Sequence, residues 1–349
     1  MNKRALRADL LLLLTATIWG FGFTAQRAGM EYVGPFAYNG IRFLLGGLFL
    51  VPFALWSVRR KRRIEAGRGN TGESASETRG GVKRYISAAF LAGSCIFVGV
   101  AFQQLGVMFT TAGNAGFITG LYVIFTPIFG IFLNRKTGAA TWVGALLTFT
   151  GLFFLSFSAA LTDGGLKRVN PGDILVVISA VFWAFHVLLI DRLVKKTDPV
   201  ALSLGQFVFA GIYGFIAAFL FESPLSRWLQ TLAPSLFFSP LHSWVNFPDL
   251  LSGLVSGNIP LAFVSSAMIP ILYGGLMSAG VGYTLQVVAQ RDAPPAHATI
   301  ILCLEGCFAV IGGVLFLNEQ IGAGMLLGFA LILSGMLASQ WEVIARRKR

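Results

Sequence analysis

The sequence predicts an all-α integral membrane protein, with ten transmembrane helices in two inverted five-helix repeats, and three observations predict it. The 349 residues are 55% hydrophobic and only 12% charged, with a mean hydropathy of +0.73, a balance suited to hydrocarbon rather than water. A bilayer span needs about 20 mostly apolar residues. Ten stretches meet that need: 9–28, 36–57, 86–108, 112–133, 139–160, 173–191, 200–221, 266–289, 296–317 and 321–341. The chain also repeats itself, and self-similarity at a fixed offset takes precedence over any local reading. Asp9, Trp19 and Pro35 recur 164 residues later as Asp173, Trp183 and Pro199, while Arg42 is matched by Gln206. Phe132-Leu133-Asn134, Gly138, Gly144 and Gly151 recur 184 residues later as Phe316-Leu317-Asn318, Gly322, Gly328 and Gly335. The second copy therefore carries net extra residues between the two matched blocks.

Residues 1–160 and 161–349 each supply five spans, and an odd number sends the second copy into the bilayer from the opposite face. Charge tests this independently: with the N-terminus in the cytoplasm, 22 of the 27 Lys and Arg fall in inner segments and four in outer ones, leaving Arg42 inside a span. The positive-inside rule then places both termini in the cytoplasm. The first span follows Lys3, Arg4 and Arg7 as a signal peptide would, yet it is long enough to cross and belongs to the repeat, so it is expected to stay in the mature protein. After the second span, the cytoplasmic linker 57–85 opens on Arg59-Arg60-Lys61-Arg62-Arg63 and continues in Gly, Ser, Thr and Glu, which predicts a flexible, lipid-touching connection. The fifth and tenth spans carry small residues at helical spacing, Gly144 with Thr148 and Gly151, and Gly328 with Gly335, as close packing in membranes requires. The outer insertion 222–265 holds Trp228, Phe237, Phe238, Trp244 and Phe247 broken by Pro224, Pro234, Pro240, Pro248 and Pro260. Its aromatics predict short segments at the outer interface, acting as a lid or as a mere insertion. Cys95, Cys303 and Cys307 all lie within apolar runs and are read as small packing hydrophobes. The net charge of +12 points to lipid head groups and not to nucleic acid, because no soluble stretch is long enough to carry a basic domain.

The chemistry-bearing residues stand out by depth. Glu305 is the one acidic residue deep in a span, near the bilayer centre about nine residues past Ala296, where a bare carboxylate is costly. It is either a substrate or proton site or a neutral acid bonded between helices. Arg42 lies seven residues past Pro35, about 10 Å from the outer end, and either faces a cavity or snorkels to lipid phosphate. Trp19 and Trp183 each fall about 15 Å deep from opposite sides. That is the level where inverted-repeat transporters hold substrate, although two rings can also simply fill helix packing. His186 lies on the face of Trp183, one turn on, as a titrating or a hydrogen-bonded neutral group, and His297, beside Pro294-Pro295, reads as structural. Gln103, Gln104, Asn114, Thr119 and Tyr122 occupy the outer half and Gln206, Tyr283 and Gln286 the inner half, forming two gates or interhelical glue. With no P-loop, no H-E-x-x-H and no nucleotide fingerprint, neither cofactor nor metal is expected, and nothing points to an ATP-driven pump.

Several of these stretches resemble the EamA family of the drug/metabolite transporter superfamily. They are the Leu-rich run into Thr17-Ile18-Trp19-Gly20-Phe21-Gly22-Phe23, the entry Pro35-Phe36 to Arg42-Phe43, the run Asn114-Ala115-Gly116-Phe117-Ile118-Thr119-Gly120-Leu121-Tyr122, and Leu304-Glu305 with Leu317-Asn318-Glu319. The resemblance covers nearly the whole chain. It implies ten helices in two inverted repeats, cytoplasmic termini, and export of small metabolites or amino acids across a bacterial inner membrane. Family members often carry Glu after Leu-Gly at the end of the fourth and ninth spans; Glu319 keeps the second, while Asn134-Arg135-Lys136 replaces the first. The family's Glu-Pro in the ninth span reads Glu305-Gly306.

The leading expectation is an alternating-access transporter of a small molecule, with a site at Trp19, Arg42, Tyr122, Trp183, His186, Gln206, Tyr283 and Glu305, and Glu305 as the proton-coupling group. The alternatives are a non-transporting scaffold or lipid-binding protein, and a transporter of sugar- or nucleotide-linked metabolites on the same fold. An intramembrane enzyme would need a paired nucleophile and base, which the sequence does not offer.

Overall fold

The computed structural model describes residues 3–30, 32–67, 75–134, 137–162, 170–222, 261–317 and 322–345, and among these every regular element is a helix. In chain order they are α1 (Lys3–Gly29), α2 (Pro35–Gly67), α3 (Ala75–Val107), α4 (Ala112–Thr119), α5 (Tyr122–Phe132), α6 (Ala139–Thr162), α7 (Pro171–Leu193), α8 (Pro199–Phe221), α9 (Leu261–Leu272), a π-helical segment (Tyr273–Tyr283), α10 (Thr284–Ala289), α11 (Pro295–Leu302), α12 (Leu304–Leu317) and α13 (Ala323–Ala345). Eight of the resulting rods are long and apolar enough to cross a membrane, with shorter apolar helices at Ala139–Phe154 and Leu326–Ser339. These give the ten expected crossings. The rods turn Leu10, Leu14, Phe53, Ile131, Phe132 and Phe316 outward, as a lipid solvent allows. Local signals set the starts: Asn170 caps α7 ahead of Pro171, Asp198 caps α8 ahead of Pro199, and Thr111 accepts from the Asn114 amide at α4. In each case a short polar side chain satisfies an N–H that lacks a helical partner.

The inverted symmetry is visible in α6 and α13. A Cβ on Gly144 would sit 2.7 Å from the Gly335 carbonyl, and one on Gly151 would sit 2.7 Å from the Gly328 carbonyl. Since Gly144 matches Gly328 and Gly151 matches Gly335, the contacts are reciprocal and antiparallel, as a two-fold axis demands. Glycine is required here because two backbones touch.

One expectation needs correction, and three of the expected spans depart from plain α-helix within their length. The linker 57–85 is largely helical: α2 runs on to Gly67 and α3 begins at Ala75. Arg, Lys and Glu are good helix formers, and the Arg60 guanidinium covers the Trp56 ring at 5.4 Å. The fourth and ninth spans are not continuous. The fourth turns tightly at Gly120-Leu121, where Leu121 N–H donates to Ile118 O and Val123 N–H to Gly120 O, and the ninth does so at Cys303, where Gly306 N–H donates to Cys303 O. Such three-residue closures tighten the helix mid-span. The eighth span starts by Leu261 and is π-helical over 11 residues. Within the 222–265 insertion, only Glu222 and residues 261–265 belong to the described residues; Arg135, Lys136 and Glu319 lie outside them.

Candidate functional site

The two tight turns are symmetry mates, since Thr119 plus 184 is Cys303, and they meet: the Cys303 thiol donates to the Gly120 carbonyl at 3.2 Å. Tyr122 opens α5 just past one turn and Glu305 lies in the first turn of α12 just past the other. Broken spans crossing near the centre of an inverted repeat are where substrate groups are held in such folds.

A cavity opens beside this crossing, lined among others by Trp19, Arg42, Tyr122, Trp183, Tyr283 and Glu305, and it encloses about 440 Å³ counting its mouth. Its centre is aromatic, with ring centroids 4.5 Å apart for Trp19 and Tyr283, 5.7 Å for Trp183 and Tyr283, and 6.4 Å for Trp19 and Trp183. The π segment serves the same place. Its Ser278 carbonyl accepts from the Trp19 indole at 3.2 Å, and its Gly282 carbonyl accepts from Thr15 Oγ1 at 3.3 Å. Widened helices commonly mark functional sites.

The charges in this cavity are not spent on each other. Arg42 is 1% exposed and Glu305 is 3% exposed, yet no ion pair joins them among the described residues. Arg42 packs over the rings of Phe43 at 4.8 Å and Tyr38 at 6.0 Å and stands against the Tyr283 hydroxyl, while its Nε and Nη1 have no acceptor among the described residues. Glu305 Oε1, the Trp183 indole N–H, the Gln26 and Gln286 carbonyl oxygens and the Tyr122 hydroxyl are likewise without a geometric hydrogen bond, although Tyr122 stands against the Glu305 carboxyl. Buried polar groups are normally satisfied, so this set presents acceptors and donors to whatever enters.

Six of the eight expected residues therefore share one cavity. His186 and Gln206 do not line it. They bond to each other at 3.0 Å, behind the aromatic cluster, where His186 meets Trp183 edge-on at 5.8 Å and Tyr283 at 6.4 Å. His297 bridges Asp9 at 3.0 Å and Ser339 at 3.3 Å, joining α11 to α1 and α13 as the structural reading expects. Phe23, Gln26 and Ser278 line the cavity but were not singled out. The first two follow Trp19 by four and seven residues, a spacing that puts all three on one helix face, whereas nothing local marks Ser278. The expected polar halves are partly paired: Gln103 donates to Thr119 at 3.1 Å, and Gln286 to Gln290 at 2.7 Å.

Comparison with known proteins agrees with this architecture. Residues 6–157 and 170–339 each match the EamA-like transporter family, one match per repeat. An uncharacterized transporter of Archaeoglobus fulgidus is 27% identical over 336 residues, spanning 96% of this chain and 86% of that protein. The uncharacterized transporter YoaV of Bacillus subtilis is 21% identical, with 97% of each covered. Solute carrier family 35 member F6 of Rattus norvegicus is 24% identical over 62% of this chain and 59% of its own length. A crystal structure sharing 15% of its sequence superposes with a TM-score of 0.64 over 98% of both chains, which shows the fold alone. The chain belongs to the EamA-like transporter family.

Proposed function

We propose that this transporter is a secondary carrier that exports small metabolites such as amino acids across the cytoplasmic membrane of a bacterium by alternating access, with both termini in the cytoplasm. The observation that supports this most is that Arg42 and Glu305 share one aromatic cavity with no ion pair between them among the described residues, each keeping polar atoms unbonded there. An arginine offers a carboxylate a planar pair of N–H donors, and a carboxylate accepts from an ammonium. A zwitterion thus supplies the missing partner at both places, while the Trp19, Trp183 and Tyr283 rings take an apolar side chain. Glu305 is the residue that also carries the proton in a proton-coupled cycle, because alternating access exposes it to each side in turn. The orientation rests on the Lys and Arg asymmetry.

Purified protein in liposomes tests the reading. A small-metabolite panel should contain at least one amino acid that drives counterflow and raises thermal stability. If no member does either, the protein is a scaffold or lipid-binding protein. If only sugar- or nucleotide-linked compounds do, the cavity serves a different metabolite class.

A further inference from the structure

The pair α2 and α8 is held at both ends by a carboxylate, and the two ends use it differently. At the start of α2, Gly34 has no side chain to cap the helix, Pro35 has no N–H, and Tyr38 N–H already donates to Gly34 O at 2.8 Å. Phe36 and Ala37 are left as unpaired donors of the first turn. Both donate to Glu222, at the far end of α8: Phe36 N–H to Oε1 at 2.6 Å and Ala37 N–H to Oε2 at 2.9 Å. Glu222 is 6% exposed, and a Cβ on Gly34 would collide with its carboxyl. The Phe36 and Phe221 rings pack beside it at 5.6 Å.

The opposite end shows the same positions with the roles exchanged. Gly34 is matched by Asp198 and Ala37 by Ala201, each 164 residues on. Asp198 caps its own helix, accepting from Ala201 N–H at 2.9 Å, and only its second oxygen reaches across to α2, accepting from the Ser57 hydroxyl at 2.8 Å. One repeat thus caps itself and touches its partner through one hydroxyl. The other has given up its cap and depends on its partner for two bonds.

We propose that Glu222 is an inter-repeat latch: a positioning residue that fixes the start of α2, and with it Arg42 two turns further on, to the second repeat, and that must let go when that end of the bundle opens. The latch goes beyond the substrate reading, but its transport readout rests on it. The test is hydrogen exchange and transport on full-length protein carrying Glu222→Ala, alone and with Gly34→Asp, which rebuilds in α2 the cap that Asp198 gives α8. Glu222→Ala should speed exchange about tenfold both in the first turn of α2 and at the Ala218–Phe221 end of α8, and should lower turnover more than apparent affinity. Adding Gly34→Asp should restore protection in α2 alone, leaving α8 exposed and turnover low. If Gly34→Asp restores α8 and turnover as well, Glu222 is a helix cap and not a latch, and unchanged exchange at both ends in Glu222→Ala also overturns it. Should Glu222→Ala fail to fold, Glu222→Gln keeps one acceptor and is expected to give the same pattern at smaller size. The exchange arm decides the latch even if no transported substrate is found.

Discussion

Trp19 and Trp183 are the same residue in the two copies of one unit, yet one indole is bonded and the other is free. Trp19 donates to the Ser278 carbonyl at 3.2 Å, whereas the Trp183 N–H has no partner among the described residues. The same contrast holds for the charges: Arg42 faces Gln206 across the symmetry, and Glu305 corresponds to Leu121. Glycines at the α6 and α13 contact keep the symmetry because backbone packing tolerates nothing larger. The cavity keeps it in the tryptophan pair and breaks it in the charges. Symmetry builds the scaffold, and each repeat then contributes one charged residue of opposite sign to the lining of one cavity.

Removing the charge of the first repeat should have the largest effect. Arg42→Gln, which imposes the residue of the second copy, is expected to cost about 4 kcal/mol in transport efficiency, two to three orders of magnitude, because it strands the substrate carboxylate. Arg42→Lys keeps the charge and loses the fork, so a loss of about tenfold is expected in apparent affinity. Concentration-dependent uptake in liposomes checks both.

The next effect concerns Glu222, at the end of its span. Burial pushes its carboxyl up from the ordinary 4.5 to about 7, against the lowering by the two backbone N–H groups of Phe36 and Ala37, and no charged side chain contributes. A raised pKa means that the folded state holds the proton more tightly. The stability it contributes is complete below about pH 4.5 and is lost as pH rises through about 7, by about 3 kcal/mol. Unfolding temperatures between pH 5 and 8 should show the decline, and Glu222→Gln should flatten it.

Neutralising the charge of the second repeat comes next. Glu305→Gln should weaken binding of substrates bearing an ammonium by about 2 kcal/mol and abolish the pH dependence of transport. Unchanged pH dependence in a folded protein would reduce Glu305 to helix packing. The smallest difference should separate the tryptophans. Trp19→Phe strands the Ser278 carbonyl and should cost about 1 kcal/mol of stability. Trp183→Phe loses no internal bond, so its penalty should appear in substrate affinity with an unchanged unfolding temperature.

The spans and the repeat were legible because both are periodic: an apolar run of bilayer length and a recurring Asp, Trp and Pro survive divergence. Arg42, Glu305 and the two tryptophans were legible because each is out of place at its depth. What could not be read depends on neighbours distant in sequence. The turns at Gly120 and Cys303 have no proline to announce them, and the π segment Tyr273–Tyr283 looks like any glycine-rich span. His186 and Gln206 have the chemistry of a site but spend it on each other. Glu222 read as the first residue of an outer insertion, because its two donors lie 185 and 186 residues away.

The central claim is that opposite charges from the two repeats grip the two ends of one zwitterion. Counterflow competition by an amino acid, its amide and its N-acetyl derivative, in wild type and in Arg42→Gln and Glu305→Gln, tests it most directly. In the wild type the amino acid should compete far better than either derivative. Arg42→Gln should erase the discrimination against the amide alone, and Glu305→Gln the discrimination against the N-acetyl compound alone. Amides and N-acetyl compounds that compete as well as the parent, with both variants transporting normally, would contradict the account and leave the site to the aromatic cluster of Trp19, Trp183 and Tyr283.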